Sequence, residues 1–419
     1  ATAYATFDGH TDGDMKPYVY RTRDYGQTWE SLVTADVTGY AHVIRQDTVN
    51  SNLLFLGTEF GLFVSVDGGK NWARAGTSLP PVAVRDLVIH PREHDLIIAT
   101  HGRGIYILDD LTPLRGLTAA VLEAEAAFLP SRPSVQKIPA GEQRFDGDAD
   151  FTASSPEGTA WITYYLKRRH VFGDLRIEVL DSDGKVLYSA PGERRRGVNR
   201  FEWPMRLKGP KAPPATQLGG NLFSLFGPLV PEGTYTVRMI KGKETYTGQV
   251  KLVADPRAKH TEEDRALARR SARQLYEMVE RLAFLSDSLA DLREQARDRA
   301  SKLLEKDPLR KRVEALAAAF DKQRGALAAT REGGITGEER LREKTLSLYG
   351  AVNGYLGRPT QSQLDRMAAL DKELQGEVAA FDALVKGELA VVNAALEKKK
   401  AEPLKPMTEE EWRAKDQRK

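Results

Sequence analysis

An acidic run near the start of the chain has the residue types of a loop that binds a hard cation. Asp8, Asp12 and Asp14 alternate with glycine and other small residues, and Ca²⁺ prefers carboxylate oxygens as ligands. The twelfth position from Asp8 is Val19, where calcium loops of this length place a bidentate glutamate. Aspartate and glycine also form ordinary turns. Calcium binding by Asp8, Asp12 and Asp14 and a plain turn therefore both remain open.

Carboxylates at strand ends suggest a second chemistry, glycoside hydrolysis. That reaction uses two carboxyl groups roughly 5–10 Å apart, one of which is tuned to hold a proton. No motif singles out a pair among the carboxylates that stand where predicted strands end, which are Asp8, Asp12, Asp14, Glu59 and Asp109. The sequence therefore assigns no catalytic residue, and it predicts no cofactor other than calcium.

Two motifs of the form S/T-x-D-x-G-x-x-W, known as Asp-boxes, occur at Thr22–Trp29 and Ser65–Trp72. In such a turn the aspartate accepts hydrogen bonds from nearby backbone N–H groups, and the glycine takes a backbone conformation that other residues disfavour. The tryptophan then folds back as an apolar plug between sheets. We predict structural roles for Asp24, Gly26, Trp29, Asp67, Gly69 and Trp72.

Two segments have the composition of contact surfaces. Leu222–Val230 is unusually apolar for a loop, and burying each large side chain contributes about 1.5–3 kcal/mol. Phe223, Phe226 and Leu229 are therefore predicted either to pack within the chain or to bind a partner protein. The run Arg194–Arg196 lies in a predicted hairpin, as a solvated turn or as a patch for acidic glycans or anionic surfaces.

The overall composition excludes several classes of protein. The chain has 419 residues, and its 62 basic and 59 acidic residues nearly cancel, which disfavours nucleic acid as a partner. No stretch approaches the ~18 apolar residues of a membrane span. The absence of cysteine excludes disulfides, thiolate metal ligands and a cysteine nucleophile. A multidomain protein that does not span a membrane is predicted.

Residues 1–117 contain an internal repeat. Tyr4–Gly9, Leu54–Gly61 and Ile97–Gly104 align as an apolar strand that runs into a turn, and a second strand follows each. Spacings of roughly 43–50 residues are typical of β-propeller blades. We predict the last two to three blades of a propeller. The remaining blades are expected from the same precursor or from another chain.

The rest of the chain changes from a strand pattern to a helical one. Alternating apolar residues predict a small β-sandwich, and then Leu275, Leu282 and Leu289 recur every seven residues on one long helix. Thr261 and Thr360 each precede a capping-box residue. The predicted domains after the blades are a linker at 118–159, an immunoglobulin-like β-sandwich at 160–256, an antiparallel helical bundle at 257–400 and a charged tail at 401–419.

These residues resemble known families. Residues 1–117 resemble bacterial exported proteins of the sortilin-type Asp-box (BNR-like) β-propeller superfamily, labelled glycosyl-hydrolase-like, through Tyr4–His10, the two Asp-boxes and Ala99–Asp110. The sandwich resembles the immunoglobulin-like module of flagellar hook-capping proteins, and the helical end resembles the C-terminal region of the exported family. The matching segments are Leu180–Lys185, Gly197–Trp203, Pro231–Tyr235 and Gly357–Thr360.

The resemblance implies export to the periplasm or cell surface of a bacterium. The superfamily includes glycosidases, whose catalytic groups surround the propeller axis, and none of those groups matches a position here. We therefore predict a non-catalytic scaffold or binding protein that acts through protein–protein or glycan contacts. The alternative is a glycoside hydrolase whose catalytic carboxylates lie in blades upstream of this chain.

Overall fold

The chain, known here from a computed structural model, divides into two compact units. The described residues are 1–76, 79–138, 158–214, 222–329 and 338–416. The β-rich unit holds the described residues of 1–136, 157–204 and 233–253. The helical unit holds the described residues of 137–156, 205–232 and 254–419. A β-rich N-terminal part followed by a helical C-terminal part confirms the coarse fold class predicted from the sequence.

Three antiparallel sheets follow one another in the first 110 residues, built from short runs of apolar and aromatic residues between Gly, Asp and Asn turns. The first has the order β1-β2-β3, with β1 at Ala3–Gly9, β2 at Asp14–Thr22 and β3 at Glu30–Ser31. The second is β4-β5-β6-β7, with strands at Ala41–Gln46, Leu54–Thr58, Gly61–Ser65 and Ala73–Arg74. The third is β8-β9-β10, with strands at Val84–Ile89, Leu96–Thr100 and Ile105–Leu108.

The second and third sheets repeat one another in register. The pairing of the first strand with the second shifts between Ala41 and Val43 in one sheet and between Val84 and Asp86 in the other. β5 is therefore equivalent to β9, and β6 to β10. The second sheet continues to a fourth strand, β7, whereas the third ends at β10 in the part of the chain that the structure describes.

Two buried clusters pack these sheets together. β5 is buried along its whole length, so its side chains point into cores on both of its faces. Leu54 and Leu56 join Trp72 in a cluster between the first and second sheets. Phe55 joins Leu87 in a cluster between the second and third.

Two further sheets complete the β-rich unit. The elements after β10 are α1 (Thr112–Arg115), α2 (Ala119–Glu123), β11 (Ala126–Phe128), β12 (Ser134–Gln136), β13 (Ala160–Leu166), β14 (Leu175–Leu180), β15 (Val186–Pro191), β16 (Gly197–Trp203), β17 (Arg206–Lys208), β18 (Phe226–Leu229), β19 (Gly233–Lys241) and β20 (Glu244–Ala254). Of these, β17 and β18 pair with each other and belong to the helical unit. The sheet orders are β11-β13-β16 and β12-β20-β19-β14-β15. The rings of Trp203 in β16 and Tyr235 in β19 lie 5.3 Å apart and join the two sheets.

The described part of the segment predicted as a linker is structured instead. β11 pairs with β13, and β12 is a neighbour of β20. Thr118 caps α2 by accepting a hydrogen bond from Val121 N at 3.3 Å. β11 and β12 have three residues each, too few to produce a recognisable alternation in the sequence. Part of residues 118–138 therefore belongs to the sheets.

The helical unit contains six α-helices in its described residues. They are α3 (Glu262–Ser301), α4 (Pro308–Leu327), α5 (Leu341–Asn353), α6 (Gln361–Leu384), α7 (Ala390–Lys398) and α8 (Glu409–Asp416). Capping boxes at Thr261 and Thr360 start α3 and α6, as predicted. The heptad leucines of α3 are buried in the central cluster of this unit. None of the helices in the described ranges has the length and apolarity needed to cross a bilayer.

The predicted charged tail packs on the helical unit over part of its length. Trp412 of α8 is 3% exposed, and its Nε1 donates to Asp287 Oδ2 at 2.8 Å. The Lys211 ammonium lies 4.3 Å from the centre of the Trp412 ring. Leu404 is also buried. Burial of the apolar residues Leu404 and Trp412 holds this segment on the helical unit, although its charged residues alone would favour full exposure to water.

Candidate binding site

The first S/T-x-D-x-G-x-x-W motif closes its own turn. Asp24 accepts hydrogen bonds from Thr28 N at 2.9 Å, Thr28 Oγ1 at 2.6 Å and Thr22 Oγ1 at 2.8 Å. Gly26 N donates to Thr22 Oγ1 at 2.9 Å. The bonds from Thr28 and Thr22 lower the pKa of Asp24 to about 2. This carboxylate is occupied by the turn.

The second motif repeats this arrangement. Asp67 accepts from Lys70 N and Asn71 N at 3.0 Å each and from Ser65 Oγ at 2.8 Å. Burial raises the pKa of Asp67, but the hydrogen bonds from Asn71, Ser65 and Lys70 outweigh it and lower the pKa overall. Asp67 is therefore a turn-forming residue, as Asp24 is.

The motif glycines differ in what surrounds them. Gly26 and Gly69 have φ of 90° and 89°, a region that L side chains rarely adopt. A Cβ on Gly69 would lie 3.1 Å from Leu32 Cδ2, whereas a Cβ on Gly26 would have no atom nearer than 3.9 Å. Each substitution by alanine is expected to cost about 1–3 kcal/mol, with Gly69→Ala at the upper end and Gly26→Ala at the lower. Urea unfolding of both variants checks this order, and equal losses would contradict it.

The predicted calcium residue Asp8 lies between two histidines. Its Oδ1 accepts from His10 N at 3.0 Å and is 2.5 Å from His10 Nδ1, while Oδ2 is 3.4 Å from His42 Nδ1. Burial raises the pKa of Asp8, but the hydrogen bonds of His10 and the charges of His10 and His42 lower it overall. The His10 ring stacks on Tyr40 at 4.6 Å.

The other two predicted calcium residues have separate surroundings. Asp14 accepts from Tyr18 Oη at 2.7 Å and from Lys16 N at 3.1 Å. Asp12 lies in the short 3-10 turn His10–Asp12. Within the described residues, no three His, Asp or Glu side chains are placed to hold a metal ion. Calcium binding by Asp8, Asp12 and Asp14 stays a prediction.

The predicted interaction residues Phe223, Phe226 and Leu229 belong to the helical unit. Tyr349 Oη and Asn353 Nδ2 of α5 donate to Phe226 O at 2.6 Å and 3.2 Å. The Phe223 and Phe226 side chains are 49% and 61% exposed, and Leu229 is half-buried. The backbone of this loop is thus anchored within the chain, while two aromatic side chains remain accessible.

An apolar cavity of about 980 Å³ lies in the β-rich unit. Its size is at the upper end of the usual range for ligand pockets. The apolar side chains that line it include Leu62, Val64, Val66, Trp72, Leu79, Ile98, Tyr106, Ile107, Leu108, Leu114, Leu117, Leu122 and Val198. The polar ones are Asp67, Asn71, Arg74, Asp110, Thr163, Arg196 and Arg200.

The carboxylates of the cavity are already occupied. Asp67 holds its own turn, as described above. Asp110 accepts from Thr112 N at 3.0 Å and from Arg132 N at 3.1 Å. These donors are neutral, so they fix the positions of both acids without cancelling the charge of either carboxylate.

The arginines of the cavity differ in their partners. Arg200 donates to Asp109 O at 2.8 Å, and its guanidinium lies 5.8 Å from the centre of the Trp161 ring. Arg74 and Arg196 are exposed and form no ion pair with a carboxylate of the described residues. The cavity thus combines apolar walls with three arginines and two aspartates. This chemistry fits a ligand that has both an apolar body and a negative charge.

Sequence patterns did not identify this cavity. Its walls come from four parts of the chain that meet only after folding, and the spacing between them carries no local signal. The one partial signal is the run Arg194–Arg196, which the sequence marks as a possible patch for acidic partners. The structure places Arg196 of that run at the cavity.

Comparison with known proteins gives one family match. The family model for Sortilin-Vps10, described as sortilin, neurotensin receptor 3, matches residues 17–110, from β2 through β10. No curated protein matches the chain.

Solved structures are similar only at a low level. An ancestral GH74 enzyme has 16% identity and a TM-score of 0.20, with 56% of this chain and 34% of that chain covered. An extracellular domain from B. thetaiotaomicron has 10% identity and a TM-score of 0.18, with 57% and 28% covered. Salmonella alpha-2-macroglobulin has 13% identity and a TM-score of 0.18, with 52% and 13% covered. The chain therefore spans about a third or less of these proteins.

Proposed function

We propose that this chain is part of an exported, non-catalytic binding or scaffold protein that acts through protein–protein or glycan contacts. The apolar cavity carries this proposal. Apolar walls, three arginines that form no ion pair with a described carboxylate, and two aspartates held in turns make a site suited to holding a ligand. The cavity offers contact area and charge.

The first three sheets are proposed to be blades of an Asp-box β-propeller. The matched registers of the second and third sheets, the two self-bonded motif turns and the Sortilin-Vps10 match over residues 17–110 support this. Export is proposed from the same match, whose family description names a receptor. The two later sheets, joined through Trp203 and Tyr235, are proposed to be the immunoglobulin-like sandwich.

The resolved pKa shifts of the described carboxyl groups also support binding over catalysis by the carboxylates of this chain. A glycosidase needs one carboxyl group whose raised pKa keeps it protonated near neutral pH. In the part of the chain that the structure describes, every aspartate or glutamate with a resolved shift has a lowered pKa. These include Asp8, Asp14, Asp47 and Asp67, each through hydrogen bonds or charges that favour the ionised form.

Phe223, Phe226 and Leu229 are proposed as a second contact surface. Their loop leaves Leu222 and Leu225 59% and 62% exposed beside the two phenylalanines. An exposed apolar patch of this kind is typical of a protein-binding surface.

A panel of aryl glycosides tests the proposal against hydrolysis by the carboxylates of this chain. The chain should release no aryl alcohol above the rate in buffer, and glycan and peptide arrays should reveal saturable binding. Asp8→Asn and Asp109→Asn variants serve as probes of the strand-end carboxylates. Turnover by the wild-type chain that falls in either variant would overturn the proposal. Array binding without turnover would support it.

A further inference from the structure

Three segments meet at one end of the two later sheets. Pairing of β13 with β16, of β14 with β15 and of β14 with β19 brings the ends of these strands together. Backbone hydrogen bonds join the segments, since His170 N donates to Arg194 O at 3.0 Å and Gly242 N donates to Asp174 O at 3.0 Å. We call this surface the basic loop cluster, and it consists of residues 167–174, 191–197 and 241–244.

The charge of the basic loop cluster is strongly positive. It contains eight lysines and arginines and three acidic residues. Three of the basic side chains face carboxylates, in the pairs Lys167–Glu123 at 2.8 Å, Arg195–Glu193 at 3.8 Å and Lys241–Glu244 at 3.0 Å. The other five form no ion pair with a carboxylate of the described residues, and they are Arg168, Arg169, Arg194, Arg196 and Lys243. Against these five cations the cluster sets one further acid, Asp174.

Two adjacent apolar side chains project from the same cluster. Val171 is 60% exposed and Phe172 is 87% exposed, which is more than any other large apolar side chain in the described part of the chain. Both follow Arg168 and Arg169 closely in the sequence. A single exposed apolar residue is ordinary, but an apolar pair beside several cations is the combination that enters the surface of a membrane.

The backbone that carries the second group of arginines is held by the sheet below it. Asn199 of β16 is 4% exposed, donates from Nδ2 to Arg195 O at 2.8 Å and accepts from Arg195 N at 3.1 Å. Tyr164 Oη donates to Glu193 O at 2.6 Å. Because these bonds already fix the backbone, little backbone freedom is lost when the arginines bind a ligand.

Charge and apolar exposure together select an anionic bilayer as the ligand. Phospholipid headgroups carry phosphates that arginine binds through two parallel hydrogen bonds, and hydrocarbon lies directly beneath them. A soluble acidic glycan would neutralise the arginines but would leave Val171 and Phe172 in water. A protein would need a pocket shaped for Phe172, whereas fluid hydrocarbon accepts this side chain in any rotamer.

We infer that the basic loop cluster binds an anionic phospholipid surface, with Val171 and Phe172 at the boundary between headgroups and hydrocarbon. The inference goes beyond the proposed function, because it assigns a lipid partner to a surface that the cavity does not require. Arg196 and Gly197 also line the cavity, so the variants below leave them unchanged.

Sedimentation with lipid vesicles measures this binding. One set of vesicles is phosphatidylcholine, and the other is an equal mixture of phosphatidylcholine and phosphatidylglycerol. We expect the chain to bind the mixed vesicles at least about tenfold more tightly, because only these carry net negative charge. Salt at about 1 M should weaken that binding by about tenfold or more, since it shortens the range of electrostatic attraction to about 3 Å.

A double substitution tests the role of charge. Arg168→Gln combined with Arg169→Gln should weaken binding to the mixed vesicles by about tenfold or more, because each surface cation contributes about fivefold in affinity. The control combines Arg92→Gln with Arg103→Gln, which removes two exposed arginines from other turns of the β-rich unit. It should bind within about twofold of wild type. Circular dichroism of both variants checks that the fold is retained.

A fluorescent label tests entry into the hydrocarbon. The chain contains no cysteine, so an introduced cysteine can be labelled alone. Nitrobenzoxadiazole on Phe172→Cys should become brighter and emit at shorter wavelength when mixed vesicles are added, because this label responds to an apolar environment. Tyr25 is 85% exposed in the turn of the first motif, and the same label on Tyr25→Cys should not change.

Three results would overturn the inference. They are equal affinity for the two kinds of vesicle, equal affinities of the two double variants, and an unchanged label at position 172 on bound protein. If heparin binds with the same dependence on Arg168 and Arg169 while the label stays unchanged with vesicles, the cluster binds soluble polyanions and the inference is wrong. None of these measurements uses the cavity, so the glycoside and array assays test the proposed function separately.

Discussion

Replacing Arg115 by methionine is expected to lower the free energy of unfolding of the β-rich unit by about 3–5 kcal/mol, because it leaves a buried carboxylate without its partner. The Asp47 side chain is 0% exposed. Arg115 Nε donates to Asp47 Oδ2 at 2.9 Å, and Nη2 donates to Oδ1 at 2.8 Å. Two parallel bonds of this kind fix the position of α1 against the loop after β4.

An exposed ion pair provides the matched control. Arg92 and Glu93 lie 2.8 Å apart, with side chains 82% and 45% exposed. Arg92→Met should cost less than about 1 kcal/mol, because water screens such a pair. Urea unfolding followed by circular dichroism measures both variants. Similar losses for Arg92→Met and Arg115→Met would contradict a buried, structural Arg115.

The pair of Arg115 and Asp47 makes the stability of the protein depend on pH in the acid range. Burial raises the pKa of Asp47, but hydrogen bonds from Arg115, Asn50 N and Val49 N and the charge of Arg115 outweigh it and lower the pKa overall. A carboxyl group whose pKa is lowered by folding stabilises the fold fully above its ordinary pKa of 3.8. This stabilisation is lost as the pH falls through the pKa of the folded state. Wild-type stability should therefore fall in acid more steeply than that of Arg115→Met. Parallel pH profiles would contradict this linkage.

Trp72→Ala is expected to lower the free energy of unfolding by about 3–5 kcal/mol. Trp72 is 4% exposed, packs against Leu54 and Leu56, and donates from Nε1 to Leu32 O at 2.9 Å. Removal of the ring leaves a cavity in the core between the first two sheets, and the Leu32 carbonyl loses this hydrogen-bond donor. Urea unfolding measures the loss.

The equivalent residue of the first motif is the control. Trp29 is 47% exposed, so Trp29→Ala removes fewer packing contacts and should cost clearly less than Trp72→Ala. An equal or larger loss for Trp29→Ala would show that the second motif does not hold the sheets together through its tryptophan.

The sequence predicts best the features that are local. The motif turns form from bonds within seven residues, so their pattern is visible in the chain, as Asp24 and Asp67 illustrate. The helix starts at Thr261 and Thr360 depend on residues three positions apart. The heptads of α3 predict its buried stripe for the same reason.

Features that join distant segments escape sequence patterns. β11 has only three residues and is stabilised by pairing with β13, whose nearest partner residue is 36 positions away in sequence, from Phe128 to Tyr164. The loop that contains Phe226 belongs to the helical unit and not to the sandwich, because Tyr349 and Asn353 donate hydrogen bonds to the Phe226 carbonyl. The cavity also needs four distant segments. Only tertiary packing determines these three features.

Titration with 1-anilinonaphthalene-8-sulfonate is the most direct test of the cavity as a binding site, because this probe has an apolar body and one negative charge. Ala73 is exposed and lines the cavity, so Ala73→Trp should fill it without disturbing the fold. Ala35 is also exposed and does not line it, so Ala35→Trp is the control. We expect saturable fluorescence with wild type and Ala35→Trp, and at least tenfold weaker binding by Ala73→Trp. Unchanged binding by folded Ala73→Trp would contradict the proposed site.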